Sequence, residues 1–179
     1  MQRVVRSTFL KLSAKVLTGV FLIHPAPETL AQSSLTAEIV EFGLYRHVGQ
    51  REIVPQKSSR GKVKPSVGRG QVEFDRKTDL ISATRGITFG ITYRLAGINS
   101  NSPVSLKVSW THPRFRHPKE QEGTTETFPI VLDPKAAAEP KHLTYTLDED
   151  YEIVSGAWVA AVHYQGKVVA TKTFHLQND

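Results

Sequence analysis

No cysteine occurs anywhere in the 179 residues. Disulfides, thiolate metal sites, a cysteine nucleophile and lipid attachment through an N-terminal cysteine are therefore excluded. A domain without cross-links has to be held by its core, and a chain of this size buries roughly two-thirds of its unfolded surface, which is enough. Long apolar runs are also missing: the longest, residues 16–23, falls well short of the roughly 20 residues that span a bilayer, so no transmembrane anchor is expected. No Gly-x-Ser-x-Gly presents a nucleophilic serine. No glycine-rich phosphate cradle is complete, because Gly68-Arg69-Gly70 lacks a third glycine and a following helix. Outside the first thirty residues no window carries a sustained helical period.

The first residues are of a different kind. Arg3, Arg6, Lys11 and Lys15 precede the apolar block 16–23, and Thr29-Leu30-Ala31 follows Pro25 and Pro27 with small residues where a signal peptidase cuts. The pattern predicts a signal peptide over residues 1–31, a mature start at Gln32, and a periplasmic or secreted product. From Gln32 on, 19 Lys and Arg stand against 16 Asp and Glu, so the formal charge falls from +6 to +3. A net charge of that size does not argue for specific nucleic-acid binding.

The rest of the chain alternates. Ile87, Phe89, Ile91, Tyr93 and Leu95 interleave with Thr88, Gly90, Thr92 and Arg94; Val104, Leu106, Val108 and Trp110 interleave with Ser105, Lys107, Ser109 and Thr111. A period of two marks strands with one face in a core. Residues 35–46 form another strand, but Leu35, Ala37 and Ile39 are out of phase with Val40, Phe42 and Leu44, which predicts a bulge or bend near Val40. Residues 128–132 are placed at a sheet edge because Pro129 has no N–H to donate. Residues 134–140 make one helical turn at most, residues 143–147 a strand, and residues 158–176 a hairpin turning at Gln165-Gly166. Short strands without covering helices imply one all-β domain over residues 32–179, an antiparallel β-sandwich of about seven strands. Phe89, Ile91, Trp110 and Trp158 are expected to face one another in its core.

Between residues 47 and 70 the pattern stops. Two prolines, four glycines and the cations Arg51, Lys57, Arg60, Lys62, Lys64 and Arg69, against Glu52 alone, predict a long basic loop or hairpin tip and a candidate site for weak polyanion binding.

Other candidate chemistry is thin. Ser59-Arg60-Gly61-Lys62 matches Ser-x-x-Lys, but in a loop rather than at a helix start. Six histidines follow the leader: His47, His112, His117, His142, His163 and His175. Only His112 and His117 are close in sequence, and the cationic Pro113-Arg114-Phe115-Arg116 between them opposes a divalent ion, so both read as loop histidines. Asp148, Asp150 and Glu152 lack the frame of a calcium loop and read as a solvated acidic turn. Trp110 and Trp158 lie in phase with apolar faces, which makes them core residues rather than ligand platforms. No catalytic residue, metal site or cofactor is expected.

Four segments carry a resemblance: Phe42-Gly43-Leu44-Tyr45, Gly86-Ile87-Thr88-Phe89-Gly90, His112-Pro113, and Tyr151-Glu152-Ile153-Val154-Ser155-Gly156-Ala157-Trp158. In this order the chain resembles the bacterial family called domain of unknown function 3859. The resemblance implies an exported protein with an immunoglobulin-like sandwich, and it brings no activity. The expectation is an exported, non-catalytic binding or structural domain of the bacterial envelope, contacting a protein or an envelope polymer. The alternatives are a polyanion-binding module using the basic loop, or an envelope hydrolase whose site would bring His112 or His117 to a serine and a carboxylate.

Overall fold

The computed structural model describes residues 35–57, 63–98, 101–115 and 124–178, with side chains for all of these except residues 50–57 and 63–70. The predicted leader and its cleavage point lie outside the described residues. Among the described residues nine strands form two sheets. One holds β1 (Thr36–Lys57), β2 (Val63–Lys77), β4 (Thr88–Ala96) and β7 (Lys141–Thr146) in the order β2-β1-β4-β7. The other holds β3 (Leu80–Ser82), β5 (Val104–Thr111), β6 (Thr125–Leu132), β8 (Gly156–Tyr164) and β9 (Lys167–Gln177) in the order β3-β9-β8-β5-β6. All pairings are antiparallel except β3 with β9. A short helix, α1 (Pro134–Ala138), links β6 to β7; the Asp133 carboxylate caps it by accepting Ala136 N–H at 2.7 Å. Among the described residues no helix is long and apolar enough to cross a membrane.

The alternations resolve into two facing apolar layers. Phe89 of β4 is fully buried, with its ring centroid 5.4 Å from Trp110, 5.6 Å from Trp158 and 5.3 Å from Phe174, all on the opposite sheet. These edge-on contacts put positive ring edges against negative ring faces, adding about 1 kcal/mol each to the burial itself. The expected core of Phe89, Ile91, Trp110 and Trp158 is the observed one.

The phase slip in β1 is also present. Ile39 pairs with Tyr93 and Glu41 with Thr92, so Val40 is an extra residue, and it is exposed. Leu35 and Leu44, on either side of the slip, are both buried. Pro129 sits on β6, an edge strand whose one partner is β5.

Nine strands replace the expected seven because β2 and β3 carry little signal. Among the described side chains of β2, Val72 and Phe74 alternate with exposed neighbours but are themselves only half-buried, and β3 has three residues, too few for a period.

Candidate functional site

The basic segment is the first sequence-derived candidate, and most of it is not a loop. Arg51 and Lys57 lie on β1, Lys64 and Arg69 on β2; Ser59, Arg60 and Lys62 lie outside the described residues. The pairing of β1 with β4 ends at Tyr45 opposite Thr88. From Arg46 to Lys57, β2 is the only strand paired with β1 among the described residues. A two-stranded ribbon satisfies its backbone groups across the pair and needs no buried face, so its residues can be polar and the apolar period vanishes. The register sets Glu52 opposite Arg69 and Gln56 opposite Lys64. Arg51 and Arg69 thus stand one step apart across the ribbon, as do Lys57 and Lys64. At its root Arg46 Nη2 meets Glu73 Oε2 at 2.7 Å, with both side chains mostly exposed.

The second candidate is a buried polar cluster. Glu152 is only 3% exposed, which corrects its reading as part of a solvated turn, while Asp150 in the same segment is exposed as expected. It accepts the Tyr145 hydroxyl on Oε1 at 2.7 Å and the backbone N–H groups of Asp148 and Glu149 on Oε2 at 2.8 and 3.1 Å. The carboxylate therefore ties the end of β7 to the short 3-10 turn Asp150–Glu152. Burial first, and then the charge of Glu152, hold the Tyr145 hydroxyl well above its ordinary pKa; Glu126, buried beside Phe128 on β6, adds to the effect.

His112 does sit in a loop, one residue past the end of β5, but it is buried there. It is 3% exposed and its ring stacks on Phe115, with centroids 3.8 Å apart and 6° between the planes. Trp158 lies 5.2 Å away on the same ring. His112 Nδ1 is 2.7 Å from the carbonyl of Pro113, which can only accept, so Nδ1 carries the proton. His117 lies outside the described residues.

Threonines and histidines line the outer face of the first sheet. His47 Nε2 is 3.2 Å from both Thr88 Oγ1 and Thr146 Oγ1, which are 2.9 Å from each other. Tyr45 Oη lies 2.8 Å from Thr92 Oγ1, itself 2.9 Å from His142 Nδ1. Thr88 and Thr92 are buried beneath these neighbouring side chains, while Arg94 on the same side of β4 is exposed. Partial burial lowers the pKa of His142, with Glu41 opposing and Lys141 assisting. His163 is elsewhere, on the second sheet, 2.9 Å from Ser109 Oγ. Among the described residues no three His, Asp or Glu side chains are placed to hold a metal ion.

These buried groups surround the segments that carried the resemblance, and the model of the family described as domain of unknown function (DUF3859) matches residues 33–176. The chain belongs to that family. No curated protein matches it. Among solved structures, an immunoglobulin-like protein from Pseudomonas aeruginosa, PA1606, is 21% identical with a TM-score of 0.55, over 82% of this chain and 99% of that one. That likeness shows the sandwich fold. The alkylpurine DNA glycosylase AlkC of Pseudomonas fluorescens, bound to DNA containing an abasic site analog, matches 55% of this chain and 28% of that one at 16% identity, with a TM-score of 0.35.

In this DUF3859 domain the signature segments do architectural work. Gly43 has φ +140°, and a Cβ there would stand 2.0 Å from the carbonyl oxygen of Arg76, so only glycine lets β2 approach β1 at this point. Gly86 N–H and Leu147 N–H each bond across to the other strand end, at Leu147 O (2.7 Å) and Ile87 O (3.0 Å). A Cβ on Gly156 would lie 2.7 Å from Pro113 Cγ, so the His112-Pro113 segment packs directly on the start of β8. Tyr151, Glu152 and Trp158 complete the same cluster.

Proposed function

We propose that this DUF3859 chain is an exported, non-catalytic binding domain of the bacterial envelope, and that its contact element is the β1–β2 ribbon. The carrying observation is the ribbon itself: β1 runs on past its last β4 partner with four of the six cationic positions on paired strands. Twelve residues of strand reach roughly 40 Å. Six positive charges against one negative along this segment would attract a polyanion, such as an acidic envelope polymer, through long-range and salt-sensitive forces. The basic leader, the apolar block 16–23 and Thr29-Leu30-Ala31 support export to the periplasm or beyond. The absence of catalysis is supported by what the buried ionisable groups already do: Glu152 closes a turn, and His112 is packed between Phe115 and Trp158.

Two measurements test this. Mass spectrometry of the exported form should find a start within a residue or two of Gln32, and retention of Met1 in the cytosol would defeat the localisation. Changing Lys57, Arg60, Lys62 and Lys64 together to Gln should abolish retention on a cation-exchange resin while leaving thermal stability nearly unchanged. Retention that survives the change removes the ribbon as the contact element.

A further inference from the structure

A cleft of about 370 Å³ opens where the entry to β5 faces the turn between β8 and β9. Its walls are Ser102, Pro103, Val104, Ser105, Tyr164 and Gln165. Both walls are locally firm. Gln165 (φ 49°) and Gly166 (φ 79°) make the two-residue turn whose positive dihedrals match the twist of the strands it joins. Gln165 Nε2 donates to Tyr164 Oη at 3.2 Å, so the carboxamide is held against the phenol. On the other side Pro103 has a fixed φ and Val104 is buried in the core.

The chemistry of the lining selects its ligand. Two hydroxyls, a phenol and a carboxamide offer donors and acceptors, and none of the described residues that line the cleft carries a charge. A charged ligand would leave its solvation shell here without an opposite charge to meet it. A peptide adding as a strand finds little ladder, because the β5–β8 pairing ends at Lys107 opposite His163 and leaves only Val104–Leu106 of β5 without a β8 partner, too short an edge for an added strand. The site is also partly apolar. Tyr164 contributes a half-buried ring, and Ser105 is paired with Val131, which is 70% exposed. Neutral hydrogen-bonding groups beside an aromatic ring and exposed aliphatic carbons suit a molecule with hydroxyls at its rim and C–H groups on its faces. The volume is at the low end for ligand sites, room for one or two rings.

We propose that this cleft binds a neutral saccharide, one or two rings of a glycan, with Tyr164 as the stacking surface and Ser102, Ser105 and Gln165 as its polar partners. The site is separate from the basic ribbon and is insensitive to salt, which distinguishes the failure of either one. The test is a nuclear magnetic resonance titration of the isotope-labelled full chain with maltotriose, cellotriose and chitotriose, each at low and at high salt. The expected result is that at least one sugar shifts the amides of Ser102, Val104, Ser105, Tyr164 and Gln165, with the same affinity at both salt concentrations. Tyr164→Ala should weaken binding roughly tenfold through loss of the stacking ring, and Tyr164→Phe should weaken it less. If Tyr164→Ala does not fold, Ser105→Ala combined with Gln165→Ala, both at exposed positions, supplies the same loss. The proposal is overturned if none of the three sugars moves these amides at tens of millimolar, or if binding persists unchanged in a folded variant.

Discussion

Tyr145 donates its hydroxyl to Oε1 of Glu152 at 2.7 Å, inside a protein layer where neither residue is more than 7% exposed. One carboxylate thus serves a side chain on β7 and two backbone N–H groups of the following turn. Glu152→Ala leaves three buried or half-buried donors without that acceptor and should lower stability by about 3 kcal/mol, with Tyr145→Phe costing about 1–2 kcal/mol. Denaturant midpoints check both. An unchanged midpoint for Glu152→Ala would mean that the turn is held by something else.

The tyrosines should titrate late. Burial pushes Tyr45 and Tyr93 up to about 12, and burial with the Glu152 charge pushes Tyr145 well above its ordinary value. The unfolded chain ionises near 10, so it releases protons first, and stability falls as pH rises through and beyond that value. Phenolate absorbance should show at least three of the five tyrosines appearing only with loss of tertiary structure. Five tyrosines that ionise normally in a folded protein would contradict this burial.

His142 acts at the other end of the scale. Its folded pKa is lowered chiefly by burial, so the unfolded chain takes up the proton more readily. The stabilising contribution is present above about 6.5 and is lost as pH falls below it. Between about pH 7 and about pH 5, His142→Gln should reduce the acid-side slope of stability relative to the parent, as read from thermal midpoints. Equal slopes would assign the acid sensitivity to other groups.

Trp158 joins the core to the aromatic cluster at its rim, with ring centroids 4.9 Å from Tyr145, 5.6 Å from Phe89 and 5.2 Å from His112. Trp158→Ala should cost about 3–5 kcal/mol in the denaturant midpoint. A loss below about 1 kcal/mol would remove Trp158 from the centre of the fold.

Strict alternation made β4, β5 and the β8–β9 hairpin legible, because each has one face against the core along most of its length. The phase conflict between Ile39 and Phe42 located an irregularity for the same reason: two buried halves of one strand need an extra residue between them. The ribbon was legible only as one of two readings, a loop or a hairpin tip, because a hairpin with no third strand among the described residues needs backbone pairing and little burial. The burial of Glu152 and His112 was missed because, although Asp148, Glu149, Pro113 and Phe115 are neighbours in sequence, a hydrophobic period does not register a polar side chain that the turn folds inward against Trp158 and Tyr145. The cleft escaped notice because its walls come from two turns about sixty residues apart, and serine, glutamine and tyrosine are common at any strand end.

The partners of Phe89 arrive late in the chain. Trp158 and Phe174 lie on the last two strands, and β3 must pair with residues 175–177 some ninety positions downstream. Until those strands are available, Phe89 lacks two of its three aromatic partners on the opposite sheet and keeps only Trp110 of them. Closing such distant contacts is entropically slow, so the nascent polypeptide stays open for most of its synthesis. Under the export proposed above, late closure would keep the chain in a form that can be threaded through a membrane before it folds.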